Sequence, residues 1–469
     1  MCEISAVSAA PLEVYRDEYV VERAVEPGAA HSNTVAGYPV RRRSGQAELI
    51  LINSTISGAA QERRIERYTP QKDRCAELMS QDLSLRSCTP NFVIRAALTP
   101  SDPFFPLQHG LHSSDGNDIG ATKAWEITQG DDDVIVATLD TGVDYSHPDL
   151  HENIWVNPNE IPNNGKDDDN NGYVDDLHGI NADTRSGDPF DDHFHGTHVA
   201  GIIAARGDNQ IGISGVSWRT KILAVKFLDR EGAGSVMGEI TGLNYIVDLK
   251  KRGANIVALN ASYGGAGYTQ ATLEAYKKVS EAGIVVIAAA GNESANNDRR
   301  GHYPSNYDLD NIIAVAAISS DGALADFSNY GIAKVDVAAP GVEIASTIPG
   351  GGYGYMDGTS MAAPFVSGAV ALLASHNREL QPKELIQRIF NGANRYAGLQ
   401  EAVASGRLLN LSNALNNRNG DVKAYTPRIP ELGSNISSAT FNLSVIGARQ
   451  RKKTVRSKEP VYLRIEDSR

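Results

Sequence analysis

Between residues 118 and 415 the chain alternates short, mainly apolar runs with segments of helical length. The runs Val134–Leu139, Ile222–Val225, Asn255–Asn260, Ile284–Ala289 and Ile312–Ala316 are bounded by Gly, Asn or Asp and read as buried strands. The intervening segments His198–Ala205, Val236–Arg252, Thr272–Ala282 and Met361–His376 read as helices. Such alternation predicts an α/β fold: a parallel sheet with helices on both faces, its chemistry at the carboxyl ends of the strands.

The first hundred residues have a different texture. A strand-like run at Glu18–Glu22, the basic cluster Arg41–Arg43, an apolar run at Leu49–Ile52 and a short helix over Ile65–Leu78 predict a small α+β unit. Pro100, Pro103 and Pro106 then interrupt any regular element and mark a linker over 97–117. After Leu415 the periodicity fades. Six Lys or Arg fall within the ten residues Arg449–Lys458, between weak strand-like runs at Ala439–Ile446 and Val461–Ile465. The expected organisation is therefore 1–96, 97–117, 118–415 and a basic C-terminal extension, 416–469, read as a solvated appendage or a small β extension.

Composition changes this picture chiefly through charge. The 469 residues carry a net charge of −13, but Asp131–Asp192 alone holds 17 acidic and 2 basic residues, a balance of −15. The remainder is close to neutral, so the acidity is one block. The acidic balance argues against nucleic acid as the main partner, and no apolar run reaches the ~18–20 residues of a membrane span. Of three cysteines, Cys75 and Cys88 are either a bridge or separate thiols, with Cys2 left over. The N-terminus lacks a basic stretch followed by an apolar core and does not read as a signal peptide.

Three motifs stand at element boundaries: Asp140-Thr141-Gly142 at a strand end, His195-Gly196-Thr197-His198 opening a helix, and Gly358-Thr359-Ser360-Met361-Ala362 opening another. A carboxylate, an imidazole and a hydroxyl are the groups acyl transfer needs: the hydroxyl attacks, the imidazole moves its proton, and the carboxylate orients the imidazole. Singly, each has an ordinary alternative as a helix cap or core residue. Together, in the order Asp, His, Ser, they resemble the motifs of the subtilisin-like serine peptidases. Ala289-Ala290-Gly291-Asn292-Glu293, Ser262-Tyr263-Gly264-Gly265, Tyr303-Pro304-Ser305 and Phe327-Ser328-Asn329-Tyr330-Gly331 extend the resemblance over residues 118–415.

The resemblance implies a subtilisin-like fold and a serine endopeptidase with Ser360 as nucleophile, His195 as general base and acid, Asp140 as orienting carboxylate and Asn292 as oxyanion donor. Substrate would lie along Ser262, Tyr263 and Gly264, with Ala289 and Gly291 opposite. Tyr263 departs from the aliphatic or Trp residue common there and is expected to narrow a subsite. His302, just before Tyr303-Pro304, reads either as a surface-loop histidine or as a residue near the base of that pocket, and His198 reads as a core residue. A GxSxG hydrolase is excluded, because Ala362 occupies the fifth position and His376 lies in the nucleophile's own helix. A zinc site at His193, His195 and His198 is disfavoured, since His195 is already used.

Within the acidic block, NPNEIPNNGKDDDNNGYVDD (157–176) contains Asp167-x-Asp169-x-Asn171-Gly172 and then Asp175. These oxygen ligands suit Ca²⁺, although position twelve is His178 and not Glu, so the segment is not an EF-hand. The resemblance further implies that residues 1–96 are an inhibitory propeptide, removed by self-cleavage between Ile94 and Ser114. Protein or peptide substrates and the propeptide are the implied partners, and secretion the implied location. A processing protease or peptide ligase with the same triad is the neighbouring alternative, and a non-catalytic binding protein on this fold the more distant one.

Overall fold

The computed structural model describes residues 13–23, 34–35, 38–44, 49–53, 65–67, 73–83, 85–92, 98–423 and 461–463. The chain divides into two compact units, 1–96 and 97–469.

In the first unit β1 (Glu13–Arg23) is the hub of an antiparallel sheet. Also in it are β2 (Thr34–Val35), β3 (Tyr38–Ser44), β4 (Leu49–Asn53) and β5 (Ile65–Arg67), in the order β2-β3-β4-β1-β5. Helix α1 (Cys75–Gln81) follows, then β6 (Leu85–Phe92), which also pairs with β1. Tyr19 and Val21, two apart and so on one face, pack with Leu78 and Leu85. The sequence predicts one helix over Ile65–Leu78. Instead Ile65 pairs with Tyr15 as strand and the helix starts at Cys75. Pro70 lies between, and the residue before a proline is pushed out of the helical region. The cysteine alternative resolves to a disulfide, Cys75–Cys88, with Cα atoms 5.4 Å apart. Cys2 lies outside the described residues.

The second unit begins with α2 (Ala121–Trp125), β7 (Ile135–Asp140), β8 (Gly179–Asn181), α3 (His195–Ala204) and β9 (Lys221–Lys226). It continues with α4 (Val236–Lys251), β10 (Ile256–Ala261), α5 (Gln270–Glu281), β11 (Val285–Ala289), β12 (Ile312–Ile318) and β13 (Val337–Pro340). The hairpin β14 (Ile344–Ile348) and β15 (Gly352–Met356) precedes α6 (Thr359–His376) and α7 (Pro382–Gly392). Then come β16 (Asn394–Tyr396), β17 (Arg407–Leu408), α8 (Leu411–Leu415), β18 (Val422–Lys423) and β19 (Val461–Leu463), which pairs with β15. The runs Ala439–Ile446 and Arg449–Lys458 lie outside the described residues.

Ten strands form one sheet, β18-β16-β17-β13-β12-β11-β10-β7-β9-β8, parallel except at β16–β17. Alternation along β7 explains both layers. Val134 and Val136 join α3, α6 and α7 in one core, while Ile135, Ala137 and Leu139 join α4 and α5 in the other. The residues read as linker are built into this unit: Asp102, Phe105 and Leu111 are buried, and Gln108 exchanges hydrogen bonds with the backbone of Ser214.

Candidate active site

Strand β7 delivers Asp140, fully buried, to the sheet's carboxyl edge. Its Oδ1 accepts from the Thr141 N–H and from His195 Nδ1, both at 2.7 Å. His195 opens α3, three residues earlier than the apolar pattern indicated, and keeps 17% of its side chain exposed. Burial alone would push this imidazole down, but the charge and hydrogen bond of Asp140 outweigh it and hold its pKa above the ordinary 6.5. A second carboxylate, Asp191, ties the two elements together. It accepts from Thr141 Oγ1 (2.9 Å), from Thr197 Oγ1 (2.6 Å) and from the backbone N–H of Thr197 and His193. Thr141 Oγ1 in turn accepts from Gly196 N–H at 2.9 Å. Burial lifts Asp191 to about 6. His198 is fully buried, its Nε2 against Gly354 O, and burial lowers it to about 3, so it is a neutral core residue.

Helix α6 brings Ser360 to the same edge. Pro364, inside that helix, has no N–H for the Ser360 carbonyl four residues back. Ser262 Oγ donates to that carbonyl instead, at 2.8 Å, while Ser360 Oγ donates to Ser262 O at 3.0 Å. Asn292 follows β11. Its Oδ1 accepts from the backbone N–H and hydroxyl of Thr359, both at 2.9 Å. A side chain begun at Gly358 would come within 3.5 Å of Ser360 N and 3.6 Å of Asn292 Nδ2, so both donors border one small space.

Two strand ends flank Ser360. After β10 come Ser262, Tyr263 and Gly264; after β11, Ala290 and Gly291, whose N–H donates to Thr359 Oγ1. Ala289, the last residue of β11, is buried in the core at 2% exposure. Tyr263 carries its hydroxyl inward, bonding Glu239 at 3.1 Å and Tyr276 at 2.8 Å, which ties it to α4 and α5. Of the two readings of His302, the surface loop is excluded: it is 7% exposed and packs against Gly264 and Gly291. Burial lowers its pKa, leaving it neutral at pH 7.

The subtilase family profile matches residues 131–419. The chain is a subtilase. Among similar proteins, the thermophilic serine proteinase of Bacillus sp. (strain AK1) is 38% identical over 320 residues, 68% of this chain and 70% of that one. Subtilisin-like protease 1 of Plasmodium berghei is 32% identical over 348 residues, 69% of this chain but only 56% of its own length. A solved protease of Pseudoalteromonas arctica matches with TM-score 0.54 and 26% identity, covering 68% of this chain and 99% of its own. This subtilase is thus a serine-type endopeptidase by family, and the parallel sheet with helices on both faces is the fold the sequence predicts. Among the described residues no helix is long and apolar enough to cross a membrane.

The subtilase's acidic segment gathers Glu160, Asp169 and Asp176, with carboxylate oxygens within 4.8 Å of one another. Of the four metal ligands expected from sequence, only Asp169 belongs to this cluster. Asp167 instead accepts from the N–H of Asn171 and Gly172, and Asp175 from those of Asn164 and Gly165, bracing turns. The Asn171 amide donates to Asp169 and Asp176. Glu160, 7% exposed, holds Asp168 and Asp169 N–H with Oε1, while Oε2 is buried without a hydrogen-bond partner. An unpartnered carboxylate oxygen beside two more carboxylates fits a hard cation. Sequence reading missed Glu160, Asp176 and Asp191. Only Asp191 leaves a local trace, four residues before His195.

Proposed function

We propose that this subtilase hydrolyses peptide bonds through an acyl-enzyme formed on Ser360, with His195 as general base and acid and Asp140 fixing its tautomer. The observation that carries this reading is the 2.7 Å bond from His195 Nδ1 to buried Asp140, which leaves Nε2 as the proton acceptor. Substrate adds as a strand beside Ser262–Gly264. Its backbone N–H competes for the Ser262 carbonyl that holds the Ser360 hydroxyl, freeing that hydroxyl to turn to His195. The carbonyl oxygen under attack takes the Ser360 N–H, unpaired at a helix start, and Asn292 Nδ2. Collapse of the tetrahedral intermediate returns the proton from His195 to the leaving amine, and water repeats the sequence.

The protein is further proposed to be made as a zymogen, with residues 1–96 as the inhibitory unit. Asp102, Phe105 and Leu111 are core residues of the catalytic unit, so a cut after them would remove part of that core; processing belongs before Leu98. The Cys75–Cys88 bridge fits an oxidising, extracytoplasmic compartment. Glu160, Asp169 and Asp176 would hold a structural Ca²⁺, which when bound neutralises their mutual repulsion.

The test combines peptide hydrolysis, labelling with a fluorophosphonate and N-terminal sequencing of the labelled species. Wild type is expected to cleave, to label at Ser360 and to begin near Leu98, with Ser360→Ala silent in the first two. Equal hydrolysis by Ser360→Ala would overturn the assignment, and an active enzyme that still begins at Met1 would overturn the zymogen.

A further inference from the structure

We propose that Asp191 is a positioning residue for catalysis: its carboxylate sets the direction of two threonine hydroxyls, which clasp the turn carrying Asp140 to the first turn of the helix carrying His195. The proposal rests on the active-site reading above. Asp140 itself is held by few bonds. Its Oδ1 accepts from Thr141 N–H and from His195 Nδ1, both at 2.7 Å, while its Oδ2 is buried without a hydrogen-bond partner among the described residues. The orientation of this carboxylate toward the imidazole therefore depends on where Thr141 and the start of α3 stand.

Those two are joined reciprocally. Thr141 Oγ1, after β7, accepts from Gly196 N–H in α3 at 2.9 Å, and Thr197 Oγ1, in α3, accepts from Asp144 N–H after β7, also at 2.9 Å. Each hydroxyl has one proton left to give. Both give it to Asp191, Thr141 to Oδ1 at 2.9 Å and Thr197 to Oδ2 at 2.6 Å. The backbone N–H groups of His193 and Thr197 complete the carboxylate, at 3.0 and 2.9 Å. Four donors converging on two oxygens require a group that only accepts, which an ionised carboxylate is. With an amide in this place one oxygen becomes an NH2, its N–H partner is left without an acceptor, and the hydroxyl it faces has to turn its proton out of the clasp. Burial raises Asp191 to about 6, the bonds opposing it, so the clasp is intact at pH 7.

Asp191 also acts on His195 through its charge. Two carboxylates, Asp140 and Asp191, favour the protonated imidazole. The other charged and titratable groups nearby are engaged elsewhere or neutral. Lys226, from β9, donates to Asp192 at 2.7 Å and to the carbonyls of Thr141 and Leu228 at 2.8 Å. Asp144 accepts from the Ser146 hydroxyl and from Gly350 N–H. Burial lowers His193 and His198, leaving both neutral at pH 7.

Full-length wild type, Asp191→Asn, Thr141→Val and Thr141→Ser are compared on one peptide, with active sites counted by fluorophosphonate titration. Asp191→Asn is expected to lower kcat at least tenfold, toward the ~10²-fold that a misplacement of about 1 Å costs, with KM changed by less than about threefold. The low-pH limb of its kcat/KM should lie below that of wild type, since the imidazole has lost a negative neighbour. Thr141→Ser, which keeps the clasping hydroxyl, is expected to retain at least about ten times the kcat of Thr141→Val. A purely structural role would instead lower the number of titrated sites and leave kcat per site and the limb where they are. That outcome overturns the proposal, as does Thr141→Val turning over as fast as Thr141→Ser, and this pair decides the matter if Asp191→Asn does not fold. Failure of the active-site reading looks different: wild type cleaves no peptide and Ser360 is not labelled, and the proposal falls with it.

Discussion

Gly196→Ala isolates the joint on which the proposed catalytic geometry depends. Gly196 is needed for close approach: a methyl there would stand 2.0 Å from Gly142 O, 3.1 Å from Asp140 Oδ1 and 3.2 Å from Asp140 Cβ. Carbon–oxygen contacts below 3.0 Å are essentially never tolerated, so α3 and the turn after β7 must separate by at least 1.0 Å (3.0 minus 2.0). The His195–Asp140 bond crosses the same joint at 2.7 Å, and the same opening stretches it to about 3.7 Å, past hydrogen-bonding range. A misplacement of about 1 Å costs on the order of 10²-fold in rate, which is about 2.7 kcal/mol of barrier. The overpacking itself costs ~1–3 kcal/mol of stability, so most of the protein remains folded well below its melting temperature. The assay is kcat and KM on one peptide, with active sites counted by fluorophosphonate titration. The expected pattern is kcat down about 100-fold with KM little changed. A folded variant that keeps kcat within threefold of wild type would falsify this account of how Asp140 and His195 are held together.

Two more perturbations probe charge. Because Asp140 holds His195 above 6.5, and the base must be neutral, kcat/KM is present at high pH and is lost as pH falls through a limb lying above 6.5. Asp140→Asn leaves burial uncompensated, so the limb moves to lower pH while kcat drops by about 10⁴; a limb that stays in place contradicts the coupling. For the proposed calcium, an ion at a hundredfold excess over its Kd contributes about 2.7 kcal/mol, so EDTA should lower the melting temperature and Glu160→Gln should make the protein insensitive to EDTA. A melting temperature that neither treatment moves removes the ion.

Legibility in the sequence followed the range of the interactions. The parallel sheet was legible because each central strand is a short apolar run, and burial on both faces requires only local composition. The placing of Asp140, His195 and Ser360 at element ends was legible because each sits in a short motif at such a boundary. Apolar periodicity alone put the start of α3 at His198, since Gly196 and Thr197 are weak helix formers; the motif put it at His195, where Asp191 accepting Thr197 N–H fixes it. For His302 the sequence left two readings open, a surface loop or the base of the pocket, and local sequence does not show that its ring contacts Gly264 and Gly291. The acidic residues proposed to hold calcium divide the same way. The Asp-x-Asp-x-Asn spacing drew attention to Asp167, yet a carboxylate that caps the next turn's N–H groups is spent locally. The cluster forms from Glu160, Asp169 and Asp176, brought together by the path of the loop.

Pro364 shows why departures from local rules concentrate around Ser360. A proline six residues into a helix removes one backbone hydrogen bond and crowds the carbonyl four residues earlier, a cost of ~3 kcal/mol in an ordinary helix. Here the carbonyl it releases belongs to Ser360, and Ser262 Oγ takes it at 2.8 Å. Asn260 Nδ2 donates to that same Ser262 oxygen at 2.8 Å, and Asn260 Oδ1 accepts from Ser367 Oγ, also at 2.8 Å, about two turns beyond Ser360 along α6. The gap left by proline therefore becomes an anchor that ties the helix of the proposed nucleophile at two points to the strand end beside which substrate is proposed to bind. An uninterrupted helix would keep the Ser360 carbonyl for itself and leave Ser262 Oγ without that acceptor, so the proline and the hydroxyl belong to one device.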